Sequence, residues 1–254
     1  MEDFKKRPLH FAHAWPLKNW RKDGTMRVAP PFKDAEPWQC SVYYYWWAYL
    51  RRHDGYRSTC EQAGKGHYAK LYDDFGDVHA TDFWTWWQGH SWIFAEPAIR
   101  QVQLAEAGDI SDERTLTIRV PLETKLSLIT GQFKRLVRPQ LKLAARAKLQ
   151  SRAKYPVATK PVLSALHEHL MVWDAKQRHP YLRDADLADI VQLRINNVVD
   201  GETVSTRKSL GLSTMEIEQK IYRRKQLAVQ RHLRIAEQYI SNLGQGQFPL
   251  RDKR

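Results

Sequence analysis

A mostly α-helical protein with a minor β element is predicted by three features of the 254-residue sequence. Apolar residues recur at helical spacing in several windows, one segment alternates at the period of a strand, and Ser, Asp and Gly stand where helices begin and end. Composition divides the chain as well. Nine of the 10 Trp lie at or before Trp92, whereas Lys+Arg exceed Asp+Glu by 13 to 12 in residues 1–98 and by 28 to 16 in residues 99–254. The expected organisation is an aromatic-rich N-terminal module over 1–98 and a basic helical module over 99–254.

The elements follow in order. Pro8, Pro16, Pro30, Pro31 and Pro37 among isolated aromatics (Phe4, Phe11, Trp15, Trp20, Phe32) forbid a long helix in residues 1–37 and predict an irregular segment laid on the fold through its rings. From Ser41, a capping residue, the run Val42-Tyr43-Tyr44-Tyr45-Trp46-Trp47-Ala48-Tyr49-Leu50-Arg51-Arg52-His53 reads as a short buried helix ending at Asp54-Gly55. A second helix is expected from about Tyr68 to Tyr72. A third starts at Thr81-Asp82 and carries Phe83, Trp84, Trp86 and Trp87, with Trp92 packing nearby. A helix apolar all round is normally core, although such rings also suit base stacking.

Beyond Pro97, Thr115-Leu116-Thr117-Ile118-Arg119-Val120 alternates polar and apolar residues and predicts a strand, stopped by Pro121. A helix follows with Leu122, Leu126, Ile129, Phe133, Leu136 and Val137 on one face. Further helices are expected around Val162–Lys176 and Asp184–Ile195. After a turn at Asn197–Gly201, a long helix opened by the Ser213/Glu216 capping-box spacing is expected to run to about Leu243, where Gly244 and Gly246 break it.

Several function classes are excluded or disfavoured. A hydrophobic content of 43% with 12 Gly and 12 Pro does not describe a disordered chain. No apolar run reaches the roughly 20 residues of a membrane span and residues 1–8 lack the apolar core of a signal peptide, so a soluble, cytoplasmic protein without a membrane partner is expected. Cys40 and Cys60 alone make neither a disulfide framework nor a four-ligand zinc site. His167-Glu168-His169 lacks the i, i+4 zinc spacing, and His10 and His13 have no better support. Tyr72-Asp73-Asp74 superficially resembles the metal-binding turn of reverse transcriptases, but it lacks flanking strands, so capping and turn roles are expected for Asp73, Asp74 and Asp77. No catalytic residue, metal or cofactor is expected, and a nuclease-like enzyme ranks third among the functional readings.

Charge points to a partner class. The net charge is +13. Residues 121–160 hold ten Lys+Arg against Glu123 alone, and residues 207–254 hold 11 against 4 acids. Such surpluses repel themselves unless a polyanion relieves them, although a charge run also occurs as a plain solvated face. The expected partner is nucleic acid, DNA favoured over RNA, with a homodimer or larger complex as a further expectation. Candidate contacts are Lys134, Arg135, Arg138, Lys142, Arg146 and Lys148 in the first block, and Arg207, Lys208, Thr214, Lys220, Arg223 and Arg224 in the second. On the last helix, Tyr222, Val229, Leu233, Ala236, Ile240 and Leu243 form an apolar stripe, with Arg223, Arg224, Lys225, Arg231 and Arg234 opposite. That stripe buries against its own domain or a second copy. The competing functional reading is a protein-interaction adaptor that recruits its partner through the Trp-rich front.

The turn Leu210-Gly211-Leu212-Ser213 is similar to that of LuxR-type and sigma-factor-like helix-turn-helix domains, which implies a recognition helix beyond Ser213 within about 184–243; an ordinary helical corner has the same signature. The strand and helix at 115–137 resemble the start of a ribbon-helix-helix domain. Across most of the chain, the cluster Tyr44-Tyr45-Trp46-Trp47 with Tyr49-Leu50-Arg51-Arg52, the turn Phe75-Gly76-Asp77, Phe83-x-x-Trp86-Trp87, Phe94-Ala95-Glu96-Pro97 and the ending Asn242-Leu243-Gly244-x-Gly246-x-Phe248-Pro249 resemble uncharacterised proteins of bacterial prophages, plasmids and integrative elements, some labelled transcriptional-regulator-like. The resemblance implies a mobile-element setting and carries no active-site residues.

Overall fold

A computed structural model describes residues 9–14, 29–96, 111, 115–146, 151–193, 195, 211 and 213–251. It is mostly helical, with almost no strand. Eight α-helices are described: α1 (Val42–Leu50), α2 (Asp54–Glu61), α3 (Ala69–Phe75), α4 (Phe83–His90), α5 (Leu126–Arg146), α6 (Leu163–Arg178), α7 (Asp184–Ile190) and α8 (Thr214–Leu243). Short 3-10 turns cover Pro37–Cys40 and Ser91–Phe94. The one bridge among the described residues pairs Val157 with Phe248.

The chain forms two compact units, and their boundary is nested. One unit joins residues 1–95 to 153–254, and the other comprises 96–152. This differs from a division at residue 98, for a physical reason. The rings of the N-terminal helices share one core with Leu163, Leu166 and Leu170 of α6 and with Ile235, Ala236, Tyr239, Ile240 and Leu243 of α8. The aromatic segment is therefore not a module that closes on itself.

Helix α1 lies at the centre of the first unit. Eight of its nine residues are buried. Ser41 caps it by accepting from the Tyr43 amide at 3.3 Å, while its own hydroxyl donates to the Ala14 carbonyl at 2.9 Å. Phe11 packs on Tyr43 and Trp87 and Phe32 stacks on His167, so the irregular segment does lie on the fold through these rings; Phe4, Trp15 and Trp20 lie outside the described residues. Helix α1 stops earlier than the sequence suggests. Asp54-Gly55 opens α2, because the His53 imidazole caps that helix by accepting from the Tyr56 amide at 3.1 Å.

Polar ties fix the shell around these rings. The Tyr49 hydroxyl donates to the Leu166 carbonyl at 2.8 Å, the Trp86 indole to the Phe75 carbonyl at 2.6 Å, and the Tyr56 hydroxyl to the Gly76 carbonyl at 2.6 Å. Asp82 caps α4 through the Trp84 and Thr85 amides. At the far end of α8, a Cβ on Gly244 would fall 2.7 Å from His53 Nε2 and 2.8 Å from a Tyr68 ring carbon, so glycine is required where α8 meets these rings. A second, smaller cluster of Val172, Ala175, Leu187, Ala188, Leu193 and Val229 packs α6, α7 and α8 together.

In the second unit, Thr115–Val120 is extended chain and is not assigned to a strand, in contrast to the strand its alternation predicts. The single-strand likeness to a ribbon-helix-helix start therefore has no strand behind it among the described residues.

Replacing Trp46 with Ala removes a fully buried ring in contact with Phe75, Phe94, Tyr155 and Phe248. The expected cost is about 3–5 kcal/mol, read as a drop in melting temperature. Leu122→Ala, at a 94% exposed position, is expected to leave the melt unchanged within about 0.5 kcal/mol.

Candidate nucleic-acid interface

Helix α8 is built in two halves by its own sequence. Gly211 adopts φ +79° just before it, and Ser213 and Glu216 form the reciprocal capping box that their spacing predicts: the Glu216 amide donates to Ser213 Oγ at 3.3 Å and the Ser213 amide to Glu216 Oε2 at 2.8 Å. One face, carrying Ile217, Val229, Ile235, Ala236, Tyr239, Ile240 and Leu243, is buried. The apolar stripe thus buries within its own unit, except that Tyr222 is exposed, with the Arg183 guanidinium 5.6 Å from its ring.

The opposite face carries Lys220, Arg223, Arg231 and Arg234, all exposed. Their spacing places them on one side of the helix over about 21 Å. None of the four enters an ion pair among the described residues. Arg223 donates to Gln226 at 3.3 Å. The other cations of this helix are engaged elsewhere: Lys225 bonds Asp189 of α7 at 2.5 Å, and Arg224 is half-buried with one guanidinium nitrogen buried and unbonded. Arg224 therefore stands apart from the other cations. Arg231 and Arg234, which join the stripe, were readable from the 3, 4, 4, 3 steps through Lys220, Arg223, Leu227, Arg231 and Arg234. Thr214 and Glu218 are exposed at the start of the helix. Arg207 and Lys208 lie outside the described residues, as does the segment that would form the first helix of a helix-turn-helix.

Helix α5 presents the second basic surface. Lys134, Arg135, Arg138 and Lys142 are exposed and enter no ion pair among the described residues, and no acid occurs in Leu126–Arg146. Arg146 is its last residue, and Lys148 lies outside the described residues.

Other candidates resolve into structural roles. Trp46, Trp47, Trp86 and Trp87 are buried against phenylalanines and Tyr45 is buried beside Tyr44, so these five rings offer no platform for bases; Trp92, expected to pack with them, is instead exposed, with Lys154 Nζ 5.7 Å over its ring. Asp73 and Asp74 sit within α3 and not in a strand-flanked turn; the buried Asp74 carboxylate pairs with Lys154 at 2.5 Å and accepts from the Tyr155 hydroxyl at 2.7 Å. Asp77 has the expected turn role, accepting from the His79 amide at 2.8 Å. His167 and His169 diverge: His167 stacks on Phe32, whereas His169 Nδ1 lies 2.8 Å from His232 Nδ1. No cluster of three metal-ligating side chains occurs among the described residues. No helix among them is long and apolar enough to cross a membrane.

No family model, curated protein or solved structure matches this chain.

Burial, together with His232, Arg251 and Arg231, drives the His169 imidazole down to about 3, and burial beside Arg231 lowers His232. Both are neutral when folded at pH values where an unfolded histidine, with its ordinary value of about 6.5, already binds a proton. Stability is therefore full above about pH 6.5 and falls as the pH drops below it. Thermal melts from about pH 7 to about pH 5 are expected to show this fall, and His169→Phe is expected to make it shallower.

Proposed function

We propose that the chain is a non-catalytic nucleic-acid-binding protein of a mobile genetic element, acting as a DNA-binding regulator or as a subunit that grips DNA or RNA within a larger defence or transfer complex. The observation that carries this reading is the stripe Lys220, Arg223, Arg231 and Arg234 on α8, exposed and entering no ion pair among the described residues, with Glu216 the acid that acts on Lys220. A 21 Å row of cations on a rigid helix matches a phosphate backbone, which supplies repeated charge at fixed spacing. The exposed cations of α5 add a second phosphate-binding surface. DNA is favoured because a helix face of regularly spaced cations suits the regular backbone of a duplex. The mobile-element setting rests on the sequence resemblance. An adaptor working through the Trp-rich front is disfavoured, since Trp46, Trp47, Trp86 and Trp87 are consumed by the core.

Binding to labelled duplex is expected to weaken steeply with salt, at a slope of about −0.9 in log K per log salt for each phosphate contacted. Arg231→Ala and Arg234→Ala are each expected to reduce that slope by about 1 and to weaken all sequences alike, as is the triple change Lys134→Ala, Arg135→Ala, Arg138→Ala. Substitutions at Thr214 or Glu218 are expected to shift preference among sequences. Failure to bind duplex or single strand at about 0.05 M salt overturns the reading.

A further inference from the structure

A cavity of about 190 Å³ lies in the first unit between the start of α6, Tyr239 of α8 and the two segments at 159–160 and 249–251. Val162, Ala165, Leu166 and Pro249 give it apolar walls. Lys160 and Arg251 complete the lining, which contains no acid, and neither cation enters an ion pair among the described residues. Apolar walls offer water no hydrogen-bond partner, whereas two cations on one cavity attract an anion. The local field is positive: burial first, then the charges of His232, Arg251 and Arg231, lower the imidazole of His169, whose ring lies 6.0 Å from that of Tyr239.

The segments that carry these cations are fixed to each other and to α8. Val157 bridges to Phe248, the Ala158 amide donates to the Phe248 carbonyl at 2.9 Å, and the Thr159 hydroxyl donates to the Pro249 carbonyl at 2.7 Å. The Asn242 side-chain amide donates to the Leu250 carbonyl at 3.1 Å. Arg251 is thereby brought onto the buried Tyr239. Its Nε donates to the Tyr239 hydroxyl at 2.9 Å, and its guanidinium carbon lies 5.7 Å from the centre of that ring. An arginine gripped through Nε keeps its two terminal nitrogens for a ligand, and that planar fork matches the two oxygens of a carboxylate. No carboxylate among the described residues takes that place.

We propose that this cavity binds a small carboxylate with a compact apolar body, its carboxylate held by the Arg251 fork and Lys160 and its body packed on Val162, Ala165, Leu166 and Pro249. The volume is that of roughly six water molecules, which sets the ligand at about six to ten non-hydrogen atoms. A bare inorganic anion would satisfy the cations and leave the apolar walls unmet, and a neutral apolar molecule would leave both cations unpaired. Tyr239 acts as a positioning residue, because it orients the fork. This inference goes beyond the nucleic-acid reading and does not rest on it, since Lys160 and Arg251 belong neither to α5 nor to the stripe on α8.

Titration of the full chain with benzoate and with 3-methylbutanoate tests it, followed by the NMR signal of the Arg251 Nε–H group. A saturable shift is expected, with a Kd of roughly 1 mM, and inorganic phosphate is expected to bind at least about tenfold more weakly. Arg251→Lys keeps the charge but removes the fork, and is expected to weaken both carboxylates about tenfold, read by calorimetry. Ala165→Leu fills the cavity and is expected to have an effect of similar size. Tyr239→Phe frees the fork and is expected to weaken binding several-fold. Lys160 is exposed, so Lys160→Ala leaves the fold intact and is likewise expected to weaken binding several-fold. Absence of a saturable shift with either carboxylate at about 20 mM overturns the proposal. So does binding that survives Lys160→Ala and Arg251→Lys unchanged, or inorganic phosphate that binds as tightly as benzoate.

Discussion

Helix α1 has no polar face, and the rest of the first unit is arranged by that constraint. A helix whose residues are tyrosine, tryptophan, valine, alanine and leucine must be covered on every side, and its own neighbours α2, α3 and α4 are too short to do so. The missing cover comes from distant sequence. Helices α6 and α8 bring leucine, isoleucine and alanine against the rings, and Phe248 closes the end between Trp46, Tyr49 and Tyr239. The segment from 96 to 152 is consequently an excursion out of a core that begins before it and finishes after it.

The same core carries a cost in polar atoms. The Tyr45 hydroxyl and the indole nitrogens of Trp46, Trp47 and Trp87 are buried without hydrogen-bond partners, each worth about 1–3 kcal/mol of lost solvation. Large ring area offsets this, since each aromatic side chain buries about 150–250 Å². Long-range polar ties hold the cover in register: Arg52 of the α1 end makes two bonds to the Asp174 carboxylate of α6, and Asp74 of α3 collects Lys154 and Tyr155 from beyond the excursion. These are the pairs for which burial and geometry make charge count; the exposed Arg183–Asp186 pair contributes little.

Local signals made most helices legible. Ser41, Asp82 and the Ser213/Glu216 box start α1, α4 and α8 as their chemistry requires, and the apolar periodicities of α6 and α8 place both ends within a few residues. Two kinds of information were not local. Asp54-Gly55 looks like a helix stop, yet the preceding imidazole of His53 acts as a cap, a role that its Nδ1 lone pair allows but its sequence position does not advertise. Alternation in Thr115–Val120 specifies two faces, but a strand also needs ladder pairing, which alternation alone does not provide. The domain boundary was illegible for the reason that governs the whole unit: clustering of tryptophans marks where rings are, not where their cover comes from. For the candidate interface, the surplus of cations was plain, whereas the loss of Lys225 to Asp189 and the half-burial of Arg224 depended on how α7 and α8 pack.

That packing also sorts the charge. Among the described residues of the first unit, the acids that enter ion pairs are Asp74, Asp174, Asp184, Asp186 and Asp189, and they engage Lys154, Arg52, Lys176, Arg183 and Lys225. Three of them stand in α7, whose acidic first turn also suits the positive end of its own dipole. Of these only Asp189 pairs with a cation of α8, Lys225, whereas Lys220, Arg223, Arg231 and Arg234 enter no ion pair among the described residues. The positive stripe on α8 is thus a product of where the acids are placed as much as of how many lysines and arginines the chain carries. On α5 the sorting is complete within a single helix, where every cation of known exposure faces water and no carboxylate occurs at all. Two surfaces in two separate units therefore carry cations that enter no ion pair among the described residues, and the self-repulsion of each is left to solvent and salt.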